Sequence, residues 1–383
     1  MGDSHVSADF LPDRLRGELG RKFGYGGRGF LPVGTPLAGF WPLGAELGQS
    51  QGWKGSNMLQ RDLGVAEPLG GYGLGGGALC GEEKGLEAWA SLSDPAAASQ
   101  GVLYYAAFPR GGSFEVTAGD VAARRVSSAA ESLSVQELPF RLGKTQERSV
   151  RVRTLGDGSV CLLGVVFEKD KPGVVVDALG VAGARLPQLP VASDPLFRQM
   201  LAARGYHLLV LAYGTNEAED VQLNVKKYTA AVGRTLAELR KAAPNADCLL
   251  LGPPLVGAVP ESPSVFNPRL AAVVAALREA ALAGGCAFFD SAAAMGGGDA
   301  FPDWLGRPEA ALNRLLAASG DFALARELRG QKPVPGLYTG DAVHLLPAGY
   351  GLVAQLFFDA LVRSYYQYRI DAMARPPGAA GRR

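Results

Sequence analysis

The 383-residue chain sets 38 Lys and Arg against 37 Asp and Glu, so a formal net charge of +1 gives no reason to expect nucleic acid or an anionic membrane as partner. Hydrophobic residues make up 48% and charged residues 20%, enough to bury sizeable cores and too apolar for a disordered tail. No apolar run approaches the roughly eighteen residues of a membrane span, and the opening residues are polar, unlike a signal peptide.

In chain order, the tight polar turn MGDSH leads into a helical pattern from about Ala8 to Lys22, with Phe10, Leu11, Leu15 and Leu19 on one face. Residues 23–81 are rich in Gly, Pro and aromatics (GYGGRGF, LGQSQGW, EPLGGYGLGGG) and read as loop. Between 86 and 168 the runs VLYYAAF, GSFEVTA, SLSVQELPF, SVRVRTL and SVCLLGVVFE are separated by turn residues, a spacing that predicts an antiparallel sandwich. Gly156-Asp157-Gly158 is a hairpin signal.

After Pro172 the rhythm becomes that of a parallel sheet. The predicted strands are GVVVDALG, YHLLVLAYG, ADCLLLGPPL and CAFFDSA; helices are expected over Val221–Ala242, Asn267–Ala283 and about Pro347–Tyr366. The resulting reading is one α/β domain (1–85 and 169–383) split by a β insertion (86–168). A smaller helical insertion, Met295–Gly340, is expected near the site. Such a sheet presents its chemistry on loops at the carboxyl ends of its strands.

Cys80, Cys161, Cys248 and Cys286 are scattered, none forms a CxxC pair, and there are only three histidines, so no metal site is expected. The cysteines read as small buried hydrophobes rather than disulfides. Of the histidines, His207 precedes an apolar strand and is expected at a strand edge with its tip in solvent. His5 adjoins Ser4 too closely to aim at its hydroxyl. His344 follows Asp341 by three residues in TGDAVHLLPAGY, close enough for the carboxylate to orient the imidazole.

Ser4, in Gly2-Asp3-Ser4-His5, sits in a tight turn before a helix, either as a nucleophile or as part of a helix cap. Gly214-Thr215-Asn216 follows the strand LLVLAYG, where a side-chain amide is a reasonable oxyanion donor or simply part of a turn. Gly180 and Gly183 follow GVVVDA, where a glycine lets a backbone N–H approach a developing negative charge. The glycine runs GYGGRGF and GYGLGGG do not lie between a strand and a helix, so nucleotide binding is not indicated.

GDS at the start, a glycine turn after one strand, GxN after the next and DxxH before the final helix together resemble the block order of SGNH/GDSL hydrolases; Gly252-Pro253-Pro254 fits the same family. No GxSxG elbow supports the ordinary α/β-hydrolase alternative. The resemblance implies a flavodoxin-like, three-layer α/β/α fold with a parallel sheet. It also implies Ser4 as nucleophile, His344 as base, Asp341 as its orienter, and the Ser4 N–H, Gly183 and Asn216 as oxyanion donors, with no cofactor.

GDSHVSADF followed by FGYGGRGF, KPGVVVDALGVAGA and FFDSAAAMGG are similar to bacterial envelope members split by a β-sandwich resembling carbohydrate-binding modules, among them peptidoglycan O-acetylesterases. The implied substrate is an acylated, chiefly acetylated, glycan. Capture of the acyl group by a sugar hydroxyl (an O-acyltransferase) and a non-catalytic glycan-binding scaffold are the alternatives. Trp41, Trp53 and Tyr72 are candidates for stacking on sugar rings or for ordinary packing. In the family the nucleophile follows a central strand, whereas only Met1-Gly2-Asp3 precede Ser4. The expectation is an upstream strand, with a periplasmic or envelope location if a signal peptide accompanies it.

Overall fold

The computed structural model describes residues 1–59, 69–143, 147–258, 262–319 and 322–374. The chain opens with two short segments of helix, α1 (Ser4–Ser7) and α2 (Phe10–Phe23). They are separated by Asp9, whose backbone takes the left-handed conformation at φ 58°. The Asp9 carboxylate is fully buried and accepts from Arg28 Nη2 at 2.6 Å, Arg16 Nη2 at 3.3 Å and the Leu43 N–H at 2.9 Å. Because a buried charge is tolerated only with partners, this cluster ties α2 to the segment that follows it.

That segment contains strands. β1 (Gly29–Leu31), β2 (Ala45–Gln49), β3 (Lys54–Asn57), β4 (Gly77–Gly81) and β5 (Glu87–Leu92) are followed by β6 (Gln100–Ala107), β7 (Ser113–Ala118), β8 (Val121–Ser127), β9 (Ser134–Arg141), β10 (Ser149–Thr154) and β11 (Val160–Glu168). They form two antiparallel sheets, ordered β3-β4-β11-β6-β9, with β1 also on β11, and β2-β5-β10-β7-β8. The rings of Tyr105 and Phe114 meet between the sheets at 5.1 Å. Residues 23–81 were expected to be loop, and the antiparallel part to begin at residue 86. The correction is that β1–β4 lie upstream of that boundary; β1, β2 and β4 pair with strands downstream of it, and β3 joins the same sheet through β4. Their composition hides them: β4 is GALCG, buried at every position, with no alternation to read. The glycines make room for neighbours. At the β11 irregularity, Gly164 (φ 143°) has the Phe30 ring where a side chain would be.

The rest is α/β. After β11 the segment 173–180 runs extended, making only isolated bridges at Val174 and Gly180, so the predicted strand GVVVDALG is largely unpaired. Then come α3 (Pro195–Arg204), β12 (Leu208–Ala212), α4 (Thr215–Glu219), α5 (Val225–Ala242), β13 (Asp247–Leu251), the hairpin β14 (Gly257–Ala258) and β15 (Ser262–Phe266), α6 (Leu270–Ala283), β16 (Ala287–Phe289) and α7 (Ser291–Ala294). Helices α8 (Phe301–Gly306), α9 (Pro308–Ser319) and α10 (Ala323–Gly330) occupy the expected helical insertion, and α11 (Pro347–Ala374) outruns its predicted end at Tyr366. Strands β12, β13 and β16 are parallel neighbours in that order. No described helix is long and apolar enough to cross a membrane.

A further correction concerns the cysteines. Cys80 and Cys161 face each other on β4 and β11 and are disulfide-bonded, as are Cys248 and Cys286. Each pair is assembled from strands or strand ends distant in sequence, which residue spacing does not reveal. The second bond closes a separation of 38 residues. Removing it with Cys248→Ala and Cys286→Ala is expected to lower unfolding stability by about 3–4 kcal/mol through restored chain entropy. Urea denaturation measures this; an unchanged midpoint and slope would count against it.

Candidate active site

Met1–Asp3 form a short strand-like entry into the parallel sheet. The Gly2 N–H donates to the Leu179 carbonyl and the Val181 N–H to the Gly2 carbonyl, both at 3.0 Å. On the other side the Asp3 N–H donates to the Ala212 carbonyl at 3.3 Å and the Ala212 N–H to the Met1 carbonyl at 2.9 Å. Gly2 therefore bridges both Gly180 and Ala212 in parallel. Ser4 follows at once as the first residue of α1, whose N-cap is Asp3; the Asp3 carboxylate accepts from the His5 N–H at 3.0 Å. Asp3 caps the turn, and Ser4 is carried at the carboxyl edge of the sheet.

His344 reaches Ser4 from the loop before α11. The loop is closed by the Thr339 N–H, which donates to the His344 carbonyl at 2.8 Å, and contains Ala342 at φ 56°. Asp341 Oδ1 accepts from the N–H groups of Val343 and His344 at 2.9 Å each, and the Thr339 hydroxyl donates to the same oxygen. The other oxygen, Oδ2, lies 2.7 Å from His344 Nδ1, and His344 Nε2 lies 2.8 Å from Ser4 Oγ. Burial opposes the charged form of Asp341, but the hydrogen bonds from Thr339, His344 and Val343 outweigh it and hold the carboxyl well below its ordinary range. A carboxylate on Nδ1 keeps a proton there, which leaves Nε2 able to accept the Ser4 proton.

The remaining candidates come from the neighbouring loops. Gly183 adopts φ 84° in the turn after Gly180, a conformation open to glycine. Asn216, in α4 just after Gly214 (φ 126°), donates from Nδ2 to the Ala184 carbonyl at 3.0 Å, which joins the two candidate oxyanion segments. An amide has a second N–H to offer. Trp41 is 70% exposed, and its main-chain N–H donates to the Ser7 carbonyl at 2.9 Å, so it stands beside the helix that carries Ser4. Trp53 and Tyr72 are buried and therefore pack. His207 is exposed, as expected of a strand-edge residue.

Sequence reasoning missed the layer beneath. His5 is buried, with Nδ1 2.9 Å from the Tyr350 hydroxyl of α11 and its ring 5.5 Å from that of His344. Burial, then the nearby His344 charge, pulls its pKa from 6.5 to about 3, so it stays neutral under the site. Glu217 is buried too, accepting from the Leu186 N–H at 3.2 Å and the Tyr228 hydroxyl at 3.1 Å, and burial raises its pKa. Thr339 had one available signal, its place two residues before Asp341 in TGDAVH. His5–Tyr350 spans 345 residues and had none.

A serine hydroxyl, an imidazole and a carboxylate thus lie in line at the carboxyl edge of a parallel sheet. The model of the GDSL-like lipase/acylhydrolase family matches residues 155–352, a span that contains Gly183, Asn216, Asp341 and His344 and follows Ser4. The chain belongs to that family and is a carboxylic-ester hydrolase.

Among solved structures, a peptidoglycan O-acetylesterase is similar at a TM-score of 0.73 and 22% identity, with 96% of this chain and 90% of that one covered. A family 2 carbohydrate esterase with its carbohydrate-binding domain, from Corynascus thermopiles (Myceliophthora fergusii), gives 0.34 and 12%, covering 75% and 95%. A lipase/acylhydrolase from Enterococcus faecalis gives 0.31 and 16%, covering 50% and 78%. The first shares the fold; the other two scores are too low to add to it. No curated protein matches the sequence.

Burial also raises the Asp3 pKa from 3.8 to about 8. A carboxyl whose folded pKa is raised contributes stability that is complete below its unfolded value and is lost as pH rises through the folded one. Asp3→Asn keeps an acceptor for the His5 N–H but cannot ionise. Its melting temperature is expected to gain on the wild type as pH climbs from about 4 to about 8, then to hold a constant lead. Thermal melts across that range check this, and a difference independent of pH would contradict it.

Proposed function

We propose that Ser4, His344 and Asp341 act as a catalytic triad that hydrolyses an O-acyl, chiefly O-acetyl, ester carried on a glycan. The observation that carries this reading is the unbroken line from Asp341 Oδ2 through His344 to Ser4 Oγ, with contacts of 2.7 and 2.8 Å. His344 Nε2 takes the hydroxyl proton as Oγ attacks the ester carbonyl. Asp341 stabilises the imidazolium that results. The Ser4 and Gly183 N–H groups and the Asn216 amide hold the oxyanion. The imidazolium then gives its proton to the sugar oxygen as the C–O bond to it breaks, and water, activated by the same histidine, releases the acyl group and restores the serine.

The glycan part of the reading rests on the exposed Trp41 beside α1, which offers a flat apolar face to a sugar ring. It gains further support from the likeness to the peptidoglycan O-acetylesterase structure, whose fold is shared over most of both chains. We read the two antiparallel sheets as one β-sandwich module that interrupts the hydrolase, beginning near residue 29 rather than 86.

Acetate release from O-acetylated peptidoglycan and hydrolysis of 4-nitrophenyl acetate provide the test. Ser4→Ala and His344→Ala are each expected to lower kcat by on the order of a millionfold, as when a triad acts as a unit. Asp341→Asn is expected to cost about ten-thousandfold, through the wrong imidazole tautomer. Trp41→Ala should raise KM on the glycan while leaving 4-nitrophenyl acetate unaffected. A folded Ser4→Ala chain as active as the wild type would remove the triad. Acyl release that requires an added sugar acceptor would favour the transferase.

A further inference from the structure

The acidic side chains of α4 and of the residue after it are used differently. Glu217 accepts from the Leu186 N–H and the Tyr228 hydroxyl, and Asp220 from Arg185 Nη1 at 2.7 Å and the Gln222 N–H at 2.9 Å. Among the described residues Glu219 has neither a hydrogen bond nor an ion pair. Arg185 and Arg269 are near enough to act on its charge, but both are turned elsewhere. Arg185 is paired with Asp220, and Arg269 donates from Nε to the Ala218 carbonyl at 2.9 Å.

Glu219 lies beside the triad. Helix α4 begins directly after Gly214 at the carboxyl end of β12. Residues three apart on a helix share a face, so Glu219 stands on the face of Asn216, whose amide reaches the Ala184 carbonyl next to Gly183. Its side chain is half-buried. Burial raises its pKa, and His344 and then Asp341 act on its charge more strongly than either arginine does.

A carboxylate only accepts hydrogen bonds. An acetyl group has no donor to give it, and the acetyl carbonyl oxygen is the atom that the oxyanion donors address. What meets Glu219 is therefore the alcohol half of the ester. A half-buried carboxylate without a partner has given up part of its water with nothing in return, a cost that a donor on a bound substrate offsets.

We propose that Glu219 is a specificity-determining residue: it accepts from a hydroxyl or amide N–H beside the esterified oxygen, selecting donor-rich, uncharged alcohols such as a sugar over anionic ones. The assignment rests on the triad reading above and adds which half of the ester is recognised, and by which side chain.

The test uses the full chain, with Ser4→Ala as the blank for every substrate. kcat/KM is measured on 6-O-acetyl-N-acetylglucosamine, whose alcohol half carries donors, and on 4-nitrophenyl acetate, whose alcohol half carries none. Glu219→Ala is expected to lower the ratio of the first to the second at least about tenfold, the loss of one charge-assisted hydrogen bond. Glu219→Gln still accepts through its amide oxygen and should recover most of that ratio. Charge is read separately with acetylcholine and acetylsalicylate. There Glu219→Gln should lower the ratio of the cationic to the anionic ester by about fivefold, an effect that fades as salt is raised. Because Gln matches Glu in size, this arm stands even where Glu219→Ala fails to fold.

A residue that only supports α4 would move all the esters together and leave both ratios where they were, which would overturn the proposal. Acetate release that survives Ser4→Ala would instead remove the triad, and this assignment with it. Activity that needs Ser4 but shows the same ratios with and without the Glu219 carboxylate would sink this assignment alone.

Discussion

The structure depends on a backbone ladder three residues long. Met1–Asp3 is bonded on one side to Leu179–Val181 and on the other to Val210–Ala212, and Ser4 begins α1 immediately after it. A serine placed by side-chain packing alone would drift by rotamer and by helix fraying. One placed by main-chain hydrogen bonds to two separate segments is held in position and direction before its neighbours contribute. Gly180 and the turn to Gly183 belong to one of these segments, Ala212 and the turn to Asn216 to the other. The same ladder thus sets the serine and both candidate oxyanion donors in a common frame.

Around this frame the electrostatics are layered. Below Ser4 the titratable groups are neutral near pH 7: Asp3 and His5 are pushed there chiefly by desolvation, with pKa values of about 8 and about 3. Above it, Asp341 is ionised because four donors compensate its burial. The Asp341 carboxylate is bonded to Nδ1 of His344, and burial keeps His5 beneath it neutral. That arrangement leaves His344 Nε2 facing Ser4 Oγ at 2.8 Å.

The antiparallel sheets meet the hydrolase part through fixed polar contacts. The buried Asp9 cluster joins α2 to Arg28 and Leu43, and the Trp41 N–H bonds to the end of α1. The Trp41 backbone is accordingly tied to the same helix that carries the serine.

By itself the sequence determined the α/β rhythm after Pro172, the antiparallel runs after residue 86, and which side chains are candidates for the site. Local periodicity and short spacings carry that information: Asp341 and His344 lie three residues apart in one turn, and Ser4, Gly183 and Asn216 each sit in a glycine-marked turn beside apolar runs. Only the tertiary structure decided the rest. β1–β4 are strands because of the partners they find, since Gly- and Ala-rich segments have no alternation to read. The Cys80–Cys161 and Cys248–Cys286 bonds and the buried His5–Tyr350 pair all join residues far apart in the chain. Spacing along a sequence constrains what can meet within one turn; contacts across a core depend on how whole elements pack, and no local pattern encodes that.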